Sequence, residues 1–295
     1  MPISLICTQR MECVQQQILV QSCTWLSKYA ERPSKLFTGA EVLLTIFITT
    51  KSQREQCFNT CFTKWHSEER GVLFKRIVYT EQKNRLRGYV LPKLSDDVEN
   101  SIVGKLSSQK SFGMAMRAES RSRVYYRIGG GRYWKIFTSF SPKFILNGVA
   151  SVSSRENYLY FDSELDRDCA IGILSSTLFF WYFILSTNCR DLNPSDLKLF
   201  AFDFAAAKPG LLNELAKLSK DLMEDYKKKS LMKHKVSSQT GKIDYQEFYP
   251  RLSKPILDRI DELLAKHYGF TEEELDFIIN YDIKYRMGDE LNAEE

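Results

Sequence analysis

Hydrophobic and polar positions divide the chain into three stretches with different periods. In residues 1–52 the apolar runs are short and strand-like. Residues 3–6 read as a short buried strand, and residues 25–29 as a second strand. Residues 10–21 read as a helix, with Met11, Val14, Ile18 and Leu19 near helical spacing. Residues 40–49, Ala-Glu-Val-Leu-Leu-Thr-Ile-Phe-Ile-Thr, are β-branched and almost uninterrupted, the pattern of a strand buried on both faces. Together these predict part of an α/β sheet.

Residues 53–205 mix the two periods. Strands are predicted over 72–79, 123–127, 133–137 and 157–161, with Gly129, Gly130 and Gly131 marking a turn. Residues 95–104 look helical. A long apolar helix is predicted over 165–185, with Asp168 near its start and Thr187-Asn188 near its end. Residues 206–295 read as helical. Pro209 suits the first turn of a helix carrying Leu211, Leu215, Leu218 and Leu222 on one face. The polar residues 227–242 break the pattern and predict a mobile loop. An amphipathic helix follows over 255–268, closed by Gly269. Thr271 and Glu274 then form a capping box ahead of the apolar stripe Leu275, Ile278 and Ile279.

Composition narrows the class. The chain has 295 residues, 43% hydrophobic and 13% aromatic, which supports real cores and excludes a disordered chain. Residues 170–185 are interrupted by Ser175, Ser176 and Thr177 and fall short of a membrane span. The first seven residues lack a basic segment and a long apolar run. A soluble cytoplasmic protein with no membrane partner is expected. Seven cysteines at irregular spacing predict reduced thiols. Cys57, Cys61 and His66 resemble part of a zinc set, but no fourth ligand follows at finger-like spacing, so no metal is expected.

Charge is unevenly spread. Residues 51–150 hold 19 Lys/Arg against 8 Asp/Glu, a net +11, whereas 151–205 and 206–295 are net −4 and −3. A basic block rich in aromatics is the footprint expected for a phosphate backbone. Within it Arg121, Arg123, Arg127, Arg132 and Lys135 interleave with Tyr125, Tyr126, Tyr133 and Trp134. A hairpin with arginines on phosphates or guanine edges and aromatics against sugars or bases is one reading. Aromatics filling a core from one side of that hairpin is the other. The tract Lys227, Lys228, Lys229, Lys233, His234 and Lys235 reads as a solvated loop more than as a phosphate contact.

Four stretches resemble the C-terminal half of adenine-N6 DNA methyltransferases of type IIG and related restriction–modification or phage-defence systems. The first, Pro2-Ile3-Ser4-Leu5-Ile6-Cys7-Thr8-Gln9-Arg10-Met11, looks like the strand and helix start just after the catalytic motif. The second, Tyr29-Ala30-Glu31-Arg32-Pro33-Ser34-Lys35-Leu36-Phe37 with the following strand to Thr49, looks like the last strands of the methyltransferase sheet. The third is Tyr125-Tyr126-Arg127-Ile128-Gly129-Gly130-Gly131-Arg132-Tyr133-Trp134-Lys135-Ile136-Phe137, with Asn188-Cys189-Arg190-Asp191-Leu192-Asn193. It is similar to a target-recognition domain. The fourth, Ile260 through Gly269-Phe270-Thr271 to Gly288, resembles the helical end of these enzymes. The resemblance implies an α/β remnant of a methyltransferase sheet (1–52), a mixed α+β target-recognition domain (53–205) and a helical C-terminal region (206–295). It also implies Phe37 as the aromatic that touches the extruded adenine, a buried core Phe being the competing reading. By the same resemblance Asn188, Arg190 and Asn193 return towards DNA, with helix termination as the alternative.

The departure from the family is as informative. Its members hold the flipped adenine amine with an Asn/Asp-Pro-Pro-Tyr/Phe motif and bind S-adenosylmethionine on a glycine-rich turn. This chain contains no Pro-Pro pair, and Asn193-Pro194-Ser195-Asp196 lacks both the second proline and the aromatic. The glycines at 129–131 sit between basic-aromatic strands and do not match the cofactor turn. No catalytic or cofactor residue is therefore expected here. Double-stranded DNA is the expected partner, with a second chain carrying the missing catalytic half. A separate specificity subunit, an inhibitor competing for target DNA and an inert fragment of a disrupted gene are the alternatives.

Overall fold

The computed structural model describes the chain except residues 1, 3, 85, 87–90 and 289–295 and the side chains of Ser4 and Leu5. It is a mixed α/β protein that divides into two compact units, Met1–Lys110 with Tyr182–Cys189, and Ser111–Trp181 with Arg190–Glu295. These do not follow the expected boundaries at 52 and 205. Strand pairing crosses the first and helix packing crosses the second.

In the first unit, helices α1 (Ser4–Cys7) and α2 (Glu12–Leu19) precede strands β1 (Ser22–Tyr29), β2 (Leu44–Lys51), β3 (Gln56–Thr63) and β4 (Thr80–Glu81) and helix α3 (Asp97–Ser107). The sheet order is β2-β1-β3-β4, with β1 antiparallel to β2 and parallel to β3. The expected strand at 3–6 is corrected. Residue 3 lies outside the described residues, and Ser4–Cys7 form a helical turn. That turn buries Ile6 and Cys7 against Leu19, Leu26 and Leu91. A four-residue apolar run carries too little periodicity to distinguish the two.

The strand predicted at 40–49 exists but not as a strand buried on both faces. β2 forms the sheet edge, and Ile46, Phe47 and Ile48 are exposed. The strand predicted at 72–79 is a second correction. Ser67–Arg76 form a 3-10 helix, started by His66 and Glu69, whose carboxylate accepts the His66 N–H (2.8 Å). Only Leu73 of this segment turns inward, to Tyr29, Leu36 and Trp65.

The second unit holds two sheets and most of the helices. Strands β5 (Ser122–Arg127), β6 (Phe137–Thr138) and β9 (Glu156–Phe161) pair in the order β6-β5-β9. Strands β7 (Phe144–Leu146), β8 (Val149–Ala150), β10 (Leu231–Ser237) and β11 (Gly241–Glu247) pair in the order β10-β11-β7-β8. The predicted strand at 133–137 is reduced to its last residue. The helix predicted at 165–185 is two helices, α4 (Glu164–Ser175) and α5 (Thr177–Ser186), bent by 65°. Ser176 makes the break, because its Oγ accepts the Phe179 N–H (3.0 Å) and caps α5. The Asp261 carboxylate adds two bonds, from the Thr177 and Leu178 N–H groups (3.0 Å each). In the first unit, Lys93 Nζ donates to the carbonyls of Ile184 (2.5 Å), Leu185 (3.2 Å) and Thr187 (2.6 Å) at the other end of α5. An acid at the start and a cation at the end of an apolar helix both match its dipole.

Helices α6 (Pro194–Leu199), α7 (Pro209–Lys229), α8 (Lys254–Tyr268), α9 (Glu272–Ile279) and α10 (Ile283–Arg286) complete the unit. Gly172 lets α4 approach α7, since a Cβ there would meet Ser219 Oγ at 2.7 Å. Gly269 closes α8 at φ +69°, and Thr271 caps α9 with Glu274, both as the sequence predicts. Residues 227–242 are not a loop. They complete α7 and enter the β10–β11 hairpin. Among the described residues no single helix is long and apolar enough to cross a membrane.

Candidate nucleic-acid interface

Strand alternation decides which of the basic and aromatic residues meet solvent. β5 runs antiparallel to β9, with Arg123 opposite Tyr160, Tyr125 opposite Tyr158 and Arg127 opposite Glu156. Successive side chains point to opposite faces. Arg123, Tyr125 and Arg127 therefore share the outer face with Tyr158 and Tyr160, while Val124, Tyr126, Leu159 and Phe161 enter the core.

The outer face is an aromatic surface edged by cations. Tyr125 meets Tyr158 edge-on at 5.3 Å between ring centroids, and Tyr158 lies 6.5 Å from Tyr160. The Arg123 guanidinium lies over the Tyr160 ring at 5.7 Å. Arg121 is exposed just before β5, and Arg117 beside β9 is held by Asp162. Among the described residues none forms an ion pair with Arg121, Arg123 or Arg127. Glu156 is the acidic group on this face. It accepts the Tyr158 hydroxyl (3.0 Å) and the Ser141 hydroxyl (3.3 Å). Desolvation and the Glu156 carboxylate beside it raise the Tyr158 pKa, so the phenol remains a donor.

Four predicted contact residues lie elsewhere. Tyr126, Tyr133, Trp134 and Lys135 are buried, so they form interior packing rather than an open surface. Tyr126 stacks on Phe137 at 5.8 Å. Trp134 is 7% exposed and packs against Arg286, whose guanidinium carbon lies 3.8 Å from its ring centroid. Arg286 is itself 2% exposed and also lies 4.6 Å from the Phe180 ring centroid. Its Nε donates to Tyr133 O (3.2 Å), and Trp134 Nε1 donates to Arg286 O (3.1 Å). Lys135 Nζ donates to Gly130 O (2.9 Å). Arg132 is exposed on the loop that these residues anchor.

In the glycine turn at 129–131 the chain's own atoms stand close at Gly129 and Gly131, while Gly130 is open. A Cβ on Gly129 would meet Arg155 Nη1, and one on Gly131 would meet Trp134 O, each at 2.3 Å. Cys57 and Cys61 lie on β3 and His66 caps the 3-10 helix. Among the described residues no cluster of three or more potential metal ligands is found.

Arg190 is exposed in the second unit, and Asn188 is half-buried in the first. Asn193 is half-buried at the start of α6, where its N–H and side-chain amide both donate to Asp196 (2.9 and 3.1 Å). Helix-cap chemistry accounts for Asn193. Phe37 is 56% exposed on a turn of the first unit, not a core residue.

Sequence reasoning missed Tyr158 and Tyr160. Their signal is the alternation Tyr158-Leu159-Tyr160-Phe161, which predicts two outward rings as clearly as Arg123-Val124-Tyr125-Tyr126-Arg127 predicts two outward arginines. It missed Arg286 altogether. Compared with known proteins, the chain matches no protein-family model and no curated sequence.

Proposed function

We propose that this chain binds double-stranded DNA through the outer face of β5 and β9, as the recognition portion of a site-specific adenine-N6 methyltransferase. The DNA reading is carried by the outward set Arg121, Arg123 and Arg127 around Tyr125, Tyr158 and Tyr160. Cations with no acidic partner suit phosphates, and rings beside them suit sugars or bases. The methyltransferase assignment rests on the resemblance of the sequence stretches, although the first forms a helical turn at Ser4–Cys7 where that resemblance expects a strand. Methyl transfer then requires a catalytic motif and a cofactor site supplied by another polypeptide segment.

Fluorescence anisotropy with a mixed-sequence duplex tests the interface. Affinity is expected to fall steeply with salt as counterions are released. Replacing Arg121, Arg123 and Arg127 together by Ala should weaken binding at least tenfold, about 1.4 kcal/mol, without lowering the melting temperature. Equal binding by the triple variant at low and moderate salt would remove this face as the interface. The chain alone is expected to incorporate no tritiated methyl from S-adenosylmethionine into that duplex. Specific incorporation would overturn the division of labour.

A further inference from the structure

Phosphate contacts position a protein on a duplex but carry no sequence information, which comes from base edges. Rings and phosphate-bound arginines on the β5–β9 face leave the sequence unread. Glu156 is the residue there that phosphates do not explain. A carboxylate is repelled by each phosphate it approaches, so an acid inside a DNA footprint costs affinity unless a base offers it a donor.

The carboxylate is held in place. The Tyr158 hydroxyl donates to Glu156 Oε1 (3.0 Å), and the Ser141 hydroxyl lies 3.3 Å from each carboxylate oxygen. A carboxylate has roughly four lone-pair positions, and Glu156 is only half-buried, so acceptor capacity remains towards solvent.

Arg127 is the register partner of Glu156 on the neighbouring strand. Opposite residues of an antiparallel pair share a face, with Cβ atoms about 5 Å apart. Among the described residues the two form no ion pair. The guanidinium is exposed, and the carboxylate is bonded by the two hydroxyls. A donor and an acceptor therefore stand side by side on an open face. Arg123 differs, because it stands opposite Tyr160 with its guanidinium over that ring. Arg127 and Glu156 also lie past the residues that β6 pairs, at the last position of β5 and the first of β9.

We propose that Arg127 and Glu156 together read one G·C base pair in the major groove. Arg127 donates to guanine O6 and N7, and Glu156 accepts from cytosine N4. In that groove guanine presents two acceptors, and its cytosine presents an amino donor beside them. A guanidinium next to a carboxylate matches that order. An A·T pair presents one acceptor, then the amine, then thymine O4, which denies the guanidinium its two-point contact and sets an acceptor against the carboxylate. The reading asks side chains, not the sheet, to enter the groove. Tyr158 and Ser141 are positioning residues, and Arg121 and Arg123 keep the phosphates. The inference rests on the DNA reading given above and assigns the choice of sequence within it.

Selection from a randomised duplex library with the full chain tests it. The parent is expected to enrich a fixed G·C pair. Glu156→Gln keeps the shape of the side chain but adds a donor. It should lower the preference for that pair roughly tenfold, with the melting temperature and the rest of the selected sequence unchanged. Arg127→Ala should relax the same pair. Base analogues at that pair separate the two contacts. Guanine replaced by 7-deazaguanine, which lacks N7, should weaken the parent more than Arg127→Ala. Cytosine replaced by 2-pyrimidinone, which lacks the amine, should weaken the parent more than Glu156→Gln. Inosine lacks only the minor-groove amine and should bind as guanine does; a loss with inosine would overturn the major-groove assignment. If the parent binds no duplex, the DNA reading itself fails and this inference with it. If the parent binds without sequence preference, or Glu156→Gln selects the same pair as strongly, base reading by Glu156 is overturned while the β5–β9 interface stands. Relaxation at an A·T pair instead would overturn the G·C assignment.

Discussion

Arg121, Arg123 and Arg127 stand on an open sheet face, whereas Lys28, Lys93, Lys135 and Arg286 are enclosed by protein. The residue types are alike and their surroundings are opposite. Each enclosed cation has acceptors or rings arranged around it. Lys93 holds three carbonyls, Lys135 holds Gly130 O, and Arg286 lies against Trp134 and Phe180. Among the described residues the open arginines form no ion pair, although Glu156 stands across the strands from Arg127. The density of positive charge in residues 51–150 therefore overstates the surface offered to an anion. Lys93 and Lys135 belong to that block and are buried, and Arg76, Lys83 and Arg117 are paired with Glu69, Asp97 and Asp162. For the proposed interface, strand parity and the lack of an ion pair among the described residues single out the arginines, not the number of basic residues.

The largest expected effect lies at Arg286. Replacing it by Ala removes the cation between two rings and leaves Trp134 against a void, a loss of about 3 kcal/mol or more. The same change at Arg123 or Arg127 should alter stability by less than about 0.5 kcal/mol. Urea unfolding of the three variants measures this. Arg286→Lys should recover only part of the loss, because an ammonium lacks the planar stacking surface. Equal stability of all three alanine variants would erase the distinction between the enclosed and open cations.

Lys93→Met comes next. It leaves the carbonyls at the end of α5 without their charged donor, at a cost of roughly 1 to 3 kcal/mol. Hydrogen exchange should show the loss as faster exchange at the end of α5, in Tyr182–Ser186, while β5 and β9 are unchanged. Uniform acceleration over the whole chain would mean that Lys93 supports the fold at large and not one helix end.

The sequence made the locally encoded parts legible. Pro209, Gly269 and the Thr271/Glu274 box carry their signals within a few residues, and α7 and α9 begin, and α8 ends, where those signals put them. β5 and β9 were also visible, and their alternation contained the outer face. The rest depended on distant partners. Trp134 reads as an interface aromatic until Arg286, 152 residues later, encloses it. β2 reads as a central strand because its composition does not record that it ends the sheet. The β10–β11 hairpin reads as a loop because, with neither face buried, it has no apolar alternation to detect. At 72–79 most of the apolar residues are exposed, so the strand-like run reflected composition without burial.

The smallest effect at neutral pH, and the one that separates two kinds of enclosure, concerns Lys28. It is fully buried, and among the described residues its ammonium has Asn59 Oδ1 (2.5 Å) and Pro92 O (3.0 Å) as acceptors. Burial pushes its pKa from 10.5 down to about 8, against smaller opposing contributions from Cys7, Cys57 and Cys61. Between pH 8 and 10.5 the unfolded chain therefore binds more protons at this site than the folded one, and stability rises with pH across that window. Below pH 8 both states are protonated and the whole desolvation cost remains, about 3 kcal/mol by linkage. Lys28→Met removes that cost but leaves both acceptors without a donor, so the net change at pH 7 should stay within about 1 kcal/mol. The contrast appears on raising the pH. The parent chain should gain about 2 kcal/mol relative to Lys28→Met between pH 8 and 10, read as the difference between their urea midpoints at each pH. Taking the difference cancels the tyrosines and other lysines that titrate in both proteins. A flat difference with a strongly destabilised variant would mean that the Lys28 acceptors offset its burial, and the desolvation reading would be wrong.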